Sequence, residues 1–298
     1  MKNILFLSVF ILFISCSKDA NNFLEKGNYR GLLEVDKGIN LPFNFEVIND
    51  SLLIIYNAQE TIKVKEIYSK NDSIVIKTPI FEGYLIAKKS NNMQTGKYVH
   101  ESMNRTIPFS AKMGNERFIR KRKEIYTISG NWETTFTNTE NKNAYISKGI
   151  FNQENGKVTG TFRTATGDYR FLEGIVDGDS LKLSTYDGAR ALLFLAKISD
   201  STMNGTFYKG NHLIENFKAV KDENFELPNE KNLVTIKRGY ENFDFSFSDS
   251  KGRVVSLSDP EFSNKVVILQ IMGSWCPNCL DESKFFKEFL VKKYFFLS

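Results

Sequence analysis

Residues 180–196, SLKLSTYDGARALLFLA, decide how this chain is read. Ser180–Leu183 alternates polar and apolar side chains, Asp187-Gly188 is a turn dipeptide, and Ala191–Ala196 is an apolar run of strand length. Two strand-length runs around such a turn predict an antiparallel hairpin. The same grammar extends outward through Leu52–Ile55, Ile62–Ile67, Ser73–Ile76 and Lys157–Phe162, with further turn signals at Asn155-Gly156 and Asp177-Gly178. From about residue 23 to residue 221 no convincing helical period interrupts the series. The 26 phenylalanines and 12 tyrosines point the same way, because aromatic rings suit half-buried pleated surfaces.

The series repeats itself. Gly27-Asn28-Tyr29 recurs as Gly130-Asn131-Trp132, Asp72-Ser73-Ile74 as Asp179-Ser180-Leu181, and Ala87-Lys88 as Ala196-Lys197. Gly96-Lys97-Tyr98 recurs as Gly205-Thr206-Phe207, and Phe109-Ser110-Ala111 as Phe217-Lys218-Ala219. A nearly constant offset of about a hundred residues predicts a tandem duplication: one β unit over 27–123 and its repeat over 124–223. Each is expected to be a small barrel or sandwich, since closing or stacking a meander removes exposed strand edges. Tyr29 and Trp132 are expected in the cores rather than around a ligand, and His100 and His212 at surface or turn positions. The basic run Arg117–Lys123 (RFIRKRK) reads as a solvated edge or linker.

Composition narrows the function. With 298 residues, 41% of them apolar and 25% charged, the chain is an ordinary globular one. A net charge of +5 spread along the sequence offers no basic face for nucleic acid. Two histidines and three cysteines leave too few ligands for a structural zinc site, so no metal and no cofactor is expected.

The amino terminus reads as an address. Met1-Lys2-Asn3 is followed by the apolar run Ile4–Ile14, which at about 1.5 Å per residue is too short to cross a bilayer core of roughly 30 Å. It suits a signal peptide over 1–15. Ser15-Cys16 resembles the lipobox of bacterial lipoproteins, which implies cleavage before Cys16, acylation of its sulfur, and a polar tether over 16–26. An acylated chain works outside the cytoplasm, tied to a bacterial membrane and facing the periplasm. Cys276 and Cys279 then remain as an even thiol pair in a compartment where disulfides persist.

Residues 224–238 read as a linker, and 239–298 as an α/β segment. Phe243, Phe245 and Phe247 alternate as one strand; Ser250-Lys251-Gly252 turns into a second at Arg253–Leu257; Lys265–Met272 is an apolar run expected as a strand covered on both faces. Trp275-Cys276-Pro277-Asn278-Cys279 then opens a helix, with Cys276 at the N-cap and Pro277 at the first helical position. The helix dipole and the free amide of Cys279 would favour the Cys276 thiolate, the nucleophile toward a disulfide, while Cys279 would resolve the mixed disulfide. Glu282, on the same helix face, could move the proton of the resolving thiol, or simply satisfy the dipole. Gln270 would lie beneath the same loop, as an active-site neighbour or as a buried amide bonded to backbone.

The stretch from about Phe243 to Tyr294 resembles the TlpA-like branch of the thioredoxin superfamily: the strand pair around Lys251-Gly252, Val254–Ser258, the Lys265-Val266-Val267 strand and the W-C-P-N-C motif carry the likeness. The amide at Gln270 and the acid at Glu282 match that branch, with Trp275 and Pro277 as supporting residues. The resemblance implies a membrane-tethered thiol-disulfide oxidoreductase that reduces or exchanges disulfides of exported proteins and is recharged by an upstream thiol reductant. It covers roughly a sixth of the chain and stops after the first helix, short of the family's cis-Pro loop. The expectation is therefore a mainly β protein followed by an incomplete thioredoxin-like module whose own activity is open. The alternative is a non-catalytic β-rich binding or assembly lipoprotein with a vestigial redox head.

Overall fold

A computed structural model describes residues 24–79, 83–90, 93–228, 235–273 and 276–295. The calls on the signal peptide, Cys16 and most of the tether lie outside them, as does Trp275. The described part is mainly β, with two tandem antiparallel barrel-like sheets and a single α-helix among the described residues.

The first sheet has nine strands: β1 (Gly27–Asp36), β2 (Ile39–Asn49), β3 (Leu52–Asn57), β4 (Glu60–Val64), β5 (Glu66–Lys70), β6 (Ser73–Lys77), β7 (Gly83–Ser90), β8 (Met93–His100) and β9 (Arg105–Met113). They run in the order β4-β3-β2-β1-β9-β8-β7-β6-β5, so the sheet curls with a seam where Lys65 joins the two edge strands. The second sheet comprises β10 (Gly130–Asn138), β11 (Ala144–Glu154), β12 (Lys157–Thr164), β13 (Gly167–Asp168), β14 (Leu172–Asp177), β15 (Ser180–Tyr186), β16 (Ala191–Ser199), β17 (Thr202–Lys209) and β18 (Leu213–Lys221). Here β10 pairs with both β11 and β18, and β11 pairs with β12, so eight strands close into a barrel and β13 is a short appendage on β12.

The repeated sequence fragments are repeated structure. Gly96 pairs with Ala87 on one side and Phe109 on the other, and Gly205 pairs with Ala196 and Phe217. A Cβ on Gly205 would sit 2.6 Å from the Phe217 ring, and one on Gly96 would overlap the Ile86 carbonyl. Only glycine lets the neighbouring strand approach there. The Asn155-Gly156 turn takes φ of 52° and 74°, the two left-handed residues that a two-residue hairpin loop demands. Tyr29 and Trp132 are both buried in the cores, with the Trp132 indole donating to the Ile128 carbonyl at 2.8 Å.

Both interiors are filled. Phe136, Phe162, Phe194, Phe207 and Phe217 form one continuous ring cluster inside the second barrel, with Phe194 and Phe207 stacked at 4.3 Å. A stuffed barrel of this kind is a packed core and leaves no internal chamber of the sort larger barrels use for ligands.

The hairpin of β15 and β16 locks the two units together. Along β16, Leu192 and Phe194 point into the second core, while Ala191 and Leu193 belong to the first. The run over 191–196 is unbroken because this strand is buried on both faces. Tyr186 lies against Phe43 at 4.5 Å and edge-on to Tyr98 at 5.6 Å. Asn57 exchanges two hydrogen bonds with the Tyr186 backbone at 3.0 and 3.2 Å, and the Gly188 carbonyl accepts from Tyr98 and Thr78, each at 3.1 Å.

Two expectations need correcting here. The basic run is a solvated linker only in part: Arg120–Lys123 are exposed, as expected, but Arg117 is buried, and Lys121 and Arg122 donate backbone N–H groups to Asp177 Oδ1 at 2.9 and 2.7 Å. Of the run's cations Arg117 is the one drawn inward, to carbonyls of both units. His100 is also buried, at the end of β8, whereas His212 is exposed in a loop.

Asp177 gives the contact a pH signature. Its hydrogen bond from Lys182, with the two backbone donors, holds its carboxyl below the usual range. A depressed folded pKa contributes stability above the unfolded value of about 3.9 and loses it as pH falls through the lower folded value. The urea midpoint of the wild type is therefore expected to drop more between pH 5 and pH 2 than that of Asp177→Asn. Parallel pH profiles would show that the contact carries no such stability.

The carboxy-terminal segment corrects the expected α/β module. Residues 246–248 and 254–256 form a two-stranded antiparallel ribbon, β19 (Ser246–Ser248) and β20 (Val254–Ser256), and α1 spans Pro277–Phe295. Lys265–Met272 is not a strand; Val266 and Ile271 stand 96% and 86% exposed. A central strand needs ladder partners on its edges and packing on both faces, and no described residue supplies either. The TlpA-like thioredoxin module is thus absent among the described residues. The reading as a disulfide reductase or oxidoreductase, which came with that resemblance, falls with it.

Candidate functional site: the cysteine turn and the cleft beneath it

The chain enters α1 through Cys276. Its carbonyl accepts the Leu280 amide at 3.1 Å, and its sulfur accepts the Cys279 amide at 3.2 Å, so the side chain caps the helix. Pro277 follows at the first helical position, where no N–H is needed. Cys276 and Cys279 are joined by a disulfide, with Cα atoms 5.3 Å apart.

Two of the polar residues singled out from sequence gather at this turn. Gln270 Nε2 donates to the Cys279 carbonyl at 2.9 Å and to Glu282 Oε2 at 2.8 Å, while Ser283 Oγ donates to Gln270 Oε1 at 2.8 Å. Gln270 therefore ties the extended segment to the first turn of the helix. Glu282 Oε2 is held by Gln270, whose own polar atoms are shared among Glu282, Ser283 and the Cys279 carbonyl.

The residue between the cysteines reaches further. Asn278 Oδ1 accepts from Arg170 at 3.0 Å and Arg190 at 3.3 Å, and its amide donates to Asp168 at 3.2 Å. Arg170, itself buried, bonds Glu60 of the first unit, approaches Asp187 of the junction loop at 3.7 Å and pairs with Asp281 of α1 at 3.0 Å. One guanidinium thus joins both β units and the helix. Sequence alone offered no signal for it, because its partners come from three separate stretches of chain.

Beneath the turn lies a cleft of about 780 Å³, lined by the disulfide, Asn278 and Glu282 on one side and by residues of both β units on the other. Burial pushes the Tyr169 hydroxyl on its wall up to about 12. Partial desolvation of its exposed loop position, then Arg105 and Lys209, hold His212 down to about 4. Among the described residues no group of three or more histidine, cysteine or acidic side chains is arranged to hold a metal. No helix among them is long and apolar enough to cross a membrane.

No protein-family model matches the chain, and no curated protein matches it. Among solved structures, it is similar to the crystal structure of a point mutant of the vaccine antigen Transferrin Binding Protein B from Haemophilus parasuis. That similarity has 10% identity and a TM-score of 0.22, over 65% of this chain and 45% of that one. The chain thus spans under half of that protein's length, and an overlap this shallow carries no argument about function.

Proposed function

We propose that the chain is a non-catalytic, β-rich binding lipoprotein, anchored through Cys16 outside the cytoplasm and facing the periplasm, that holds a partner or ligand at the cleft between its β units and α1. The observation that carries this reading is the combination of two solid cores with a large cleft lined by residues of both units and of α1, whose Asn278 and Asp281 are bonded by Arg170. Binding sites gather where elements meet around a few convergent polar groups. In this reading the Cys276–Cys279 disulfide fixes the first turn of α1, so that Asn278 points at Arg170 and Arg190.

Two measurements test it together. Cys16→Ser is expected to move the protein from the membrane fraction to the soluble one and to abolish acyl labelling. Insulin-disulfide reduction by the purified full chain should equal that of Cys276→Ser and of buffer; faster turnover by the wild type would overturn the non-catalytic reading.

A further inference from the structure

One wall of the cleft carries more positive charge than the described residues neutralise. Arg105 opens β9, Lys209 closes β17, and Arg190 sits in the loop between β15 and β16; all three line the cavity. Arg190 is paired with Asp187 at 3.2 Å. The other two are not: neither the Arg105 guanidinium nor the Lys209 ammonium forms an ion pair or side-chain hydrogen bond with a described residue. Yet Lys209 is largely shielded from water, and its pKa is lowered by that burial and by Arg190 and Arg105. Glu215 partly offsets this, but its carboxylate accepts the Tyr145 hydroxyl at 2.6 Å.

The acids that line the cleft do not answer these cations. Asp168 Oδ1 is taken by the Arg170 amide at 2.9 Å and by Asn278, and Glu282 is held by Gln270. A largely shielded ammonium that shares a cleft with two guanidiniums is unfavourable unless an anion joins it. We propose that Arg105 and Lys209 form an anion subsite, and that the ligand of this cleft is a small molecule bearing a carboxylate or phosphate oxyanion. Arg105 offers the planar fork that oxyanions accept, Lys209 the point charge, and Thr166 a hydroxyl in the same cleft. The remaining volume, with Tyr169 and Ile271 on its surface, suits an uncharged body attached to that head. This deepens the binding reading above and rests on it.

Calorimetric titration of the full chain in detergent with pyrophosphate and, separately, with citrate is the test. Submillimolar binding of either probe is expected, and which one binds distinguishes phosphate from carboxylate chemistry. Arg105→Gln and Lys209→Gln should each weaken it by about tenfold or more, the loss of one charge-assisted contact. Arg105→Lys should weaken it less, and Lys63→Gln, on β4, should leave it unchanged. Heat from neither probe at 10 mM, or equal affinity in wild type and both glutamine variants, overturns the inference. The wild-type titration needs no variant to fold. Insulin turnover bears only on the non-catalytic reading, so the two can fail separately.

Discussion

Tyr186→Ala is expected to lower the free energy of unfolding by about 3–5 kcal/mol, the range for removing a fully buried ring. The side chain has no exposed surface and lies in the first unit's core although its strand belongs to the second barrel. Removing it empties a space bounded by Phe43 and Tyr98 that cannot collapse, because β15 is held by the Asn57 pair and by Ser184 donating to the Pro42 carbonyl at 2.6 Å. Tyr186→Phe should behave differently. The Tyr186 hydroxyl is buried without a hydrogen-bond partner among the described residues, and burial, with Tyr98 and Asp187 nearby, keeps its proton bound. Deleting an unsatisfied hydroxyl while keeping the ring is expected to be neutral or to stabilise by up to about 1 kcal/mol. Guanidinium unfolding of the three proteins checks both. A loss below 1 kcal/mol for the alanine variant would mean that the two cores do not depend on each other through this ring.

The β architecture was legible because its signals are local. Asn155-Gly156, the alternation over Ser180–Leu183, and the repeated Gly96 and Gly205 each act over a few residues, and the structure uses them as read. The apolar run over 191–196 also marked a strand, but its second meaning did not show: continuous apolarity cannot say which other unit covers the outer face. The same ambiguity misled the reading of Lys265–Met272. An identical pattern there predicts a doubly covered strand, yet nothing described covers it, because ladder partners are a property of the neighbours and not of the run. The cysteine turn was local again, and Cys276, Cys279, Gln270 and Glu282 do meet. What the cleft is made of was not legible. Arg105, Arg190 and Lys209 sit far apart in sequence, in segments with no catalytic spacing, and only the closing of two sheets brings them to one cleft.

Arg117 shows most sharply how charge read from sequence can mislead, and it sets the second large effect. Its guanidinium is buried, with hydrogen bonds to the Tyr56 carbonyl, to the Ser184 carbonyl at 3.2 Å and to Ser184 Oγ at 3.3 Å, and Glu173 lies 3.5 Å away. Tyr56 belongs to the first unit, Ser184 and Glu173 to the second, so a residue in the connecting segment bonds to both units at once. Arg117→Met keeps much of the volume but strands two carbonyls, and the expected loss is about 3 kcal/mol. Glu173 contributes little to that figure, because its carboxylate is 36% exposed and water can solvate it when the arginine is gone. Glu173→Gln alone should accordingly cost under about 1 kcal/mol. Arg117→Lys separates charge from geometry: an ammonium restores the charge but cannot span carbonyls on two strands, so it should recover less than half of the loss. If lysine instead restored full stability in urea unfolding, the charge facing Glu173 would be what matters, and the bridging of the two units by a planar fork would not be the reason this arginine is buried.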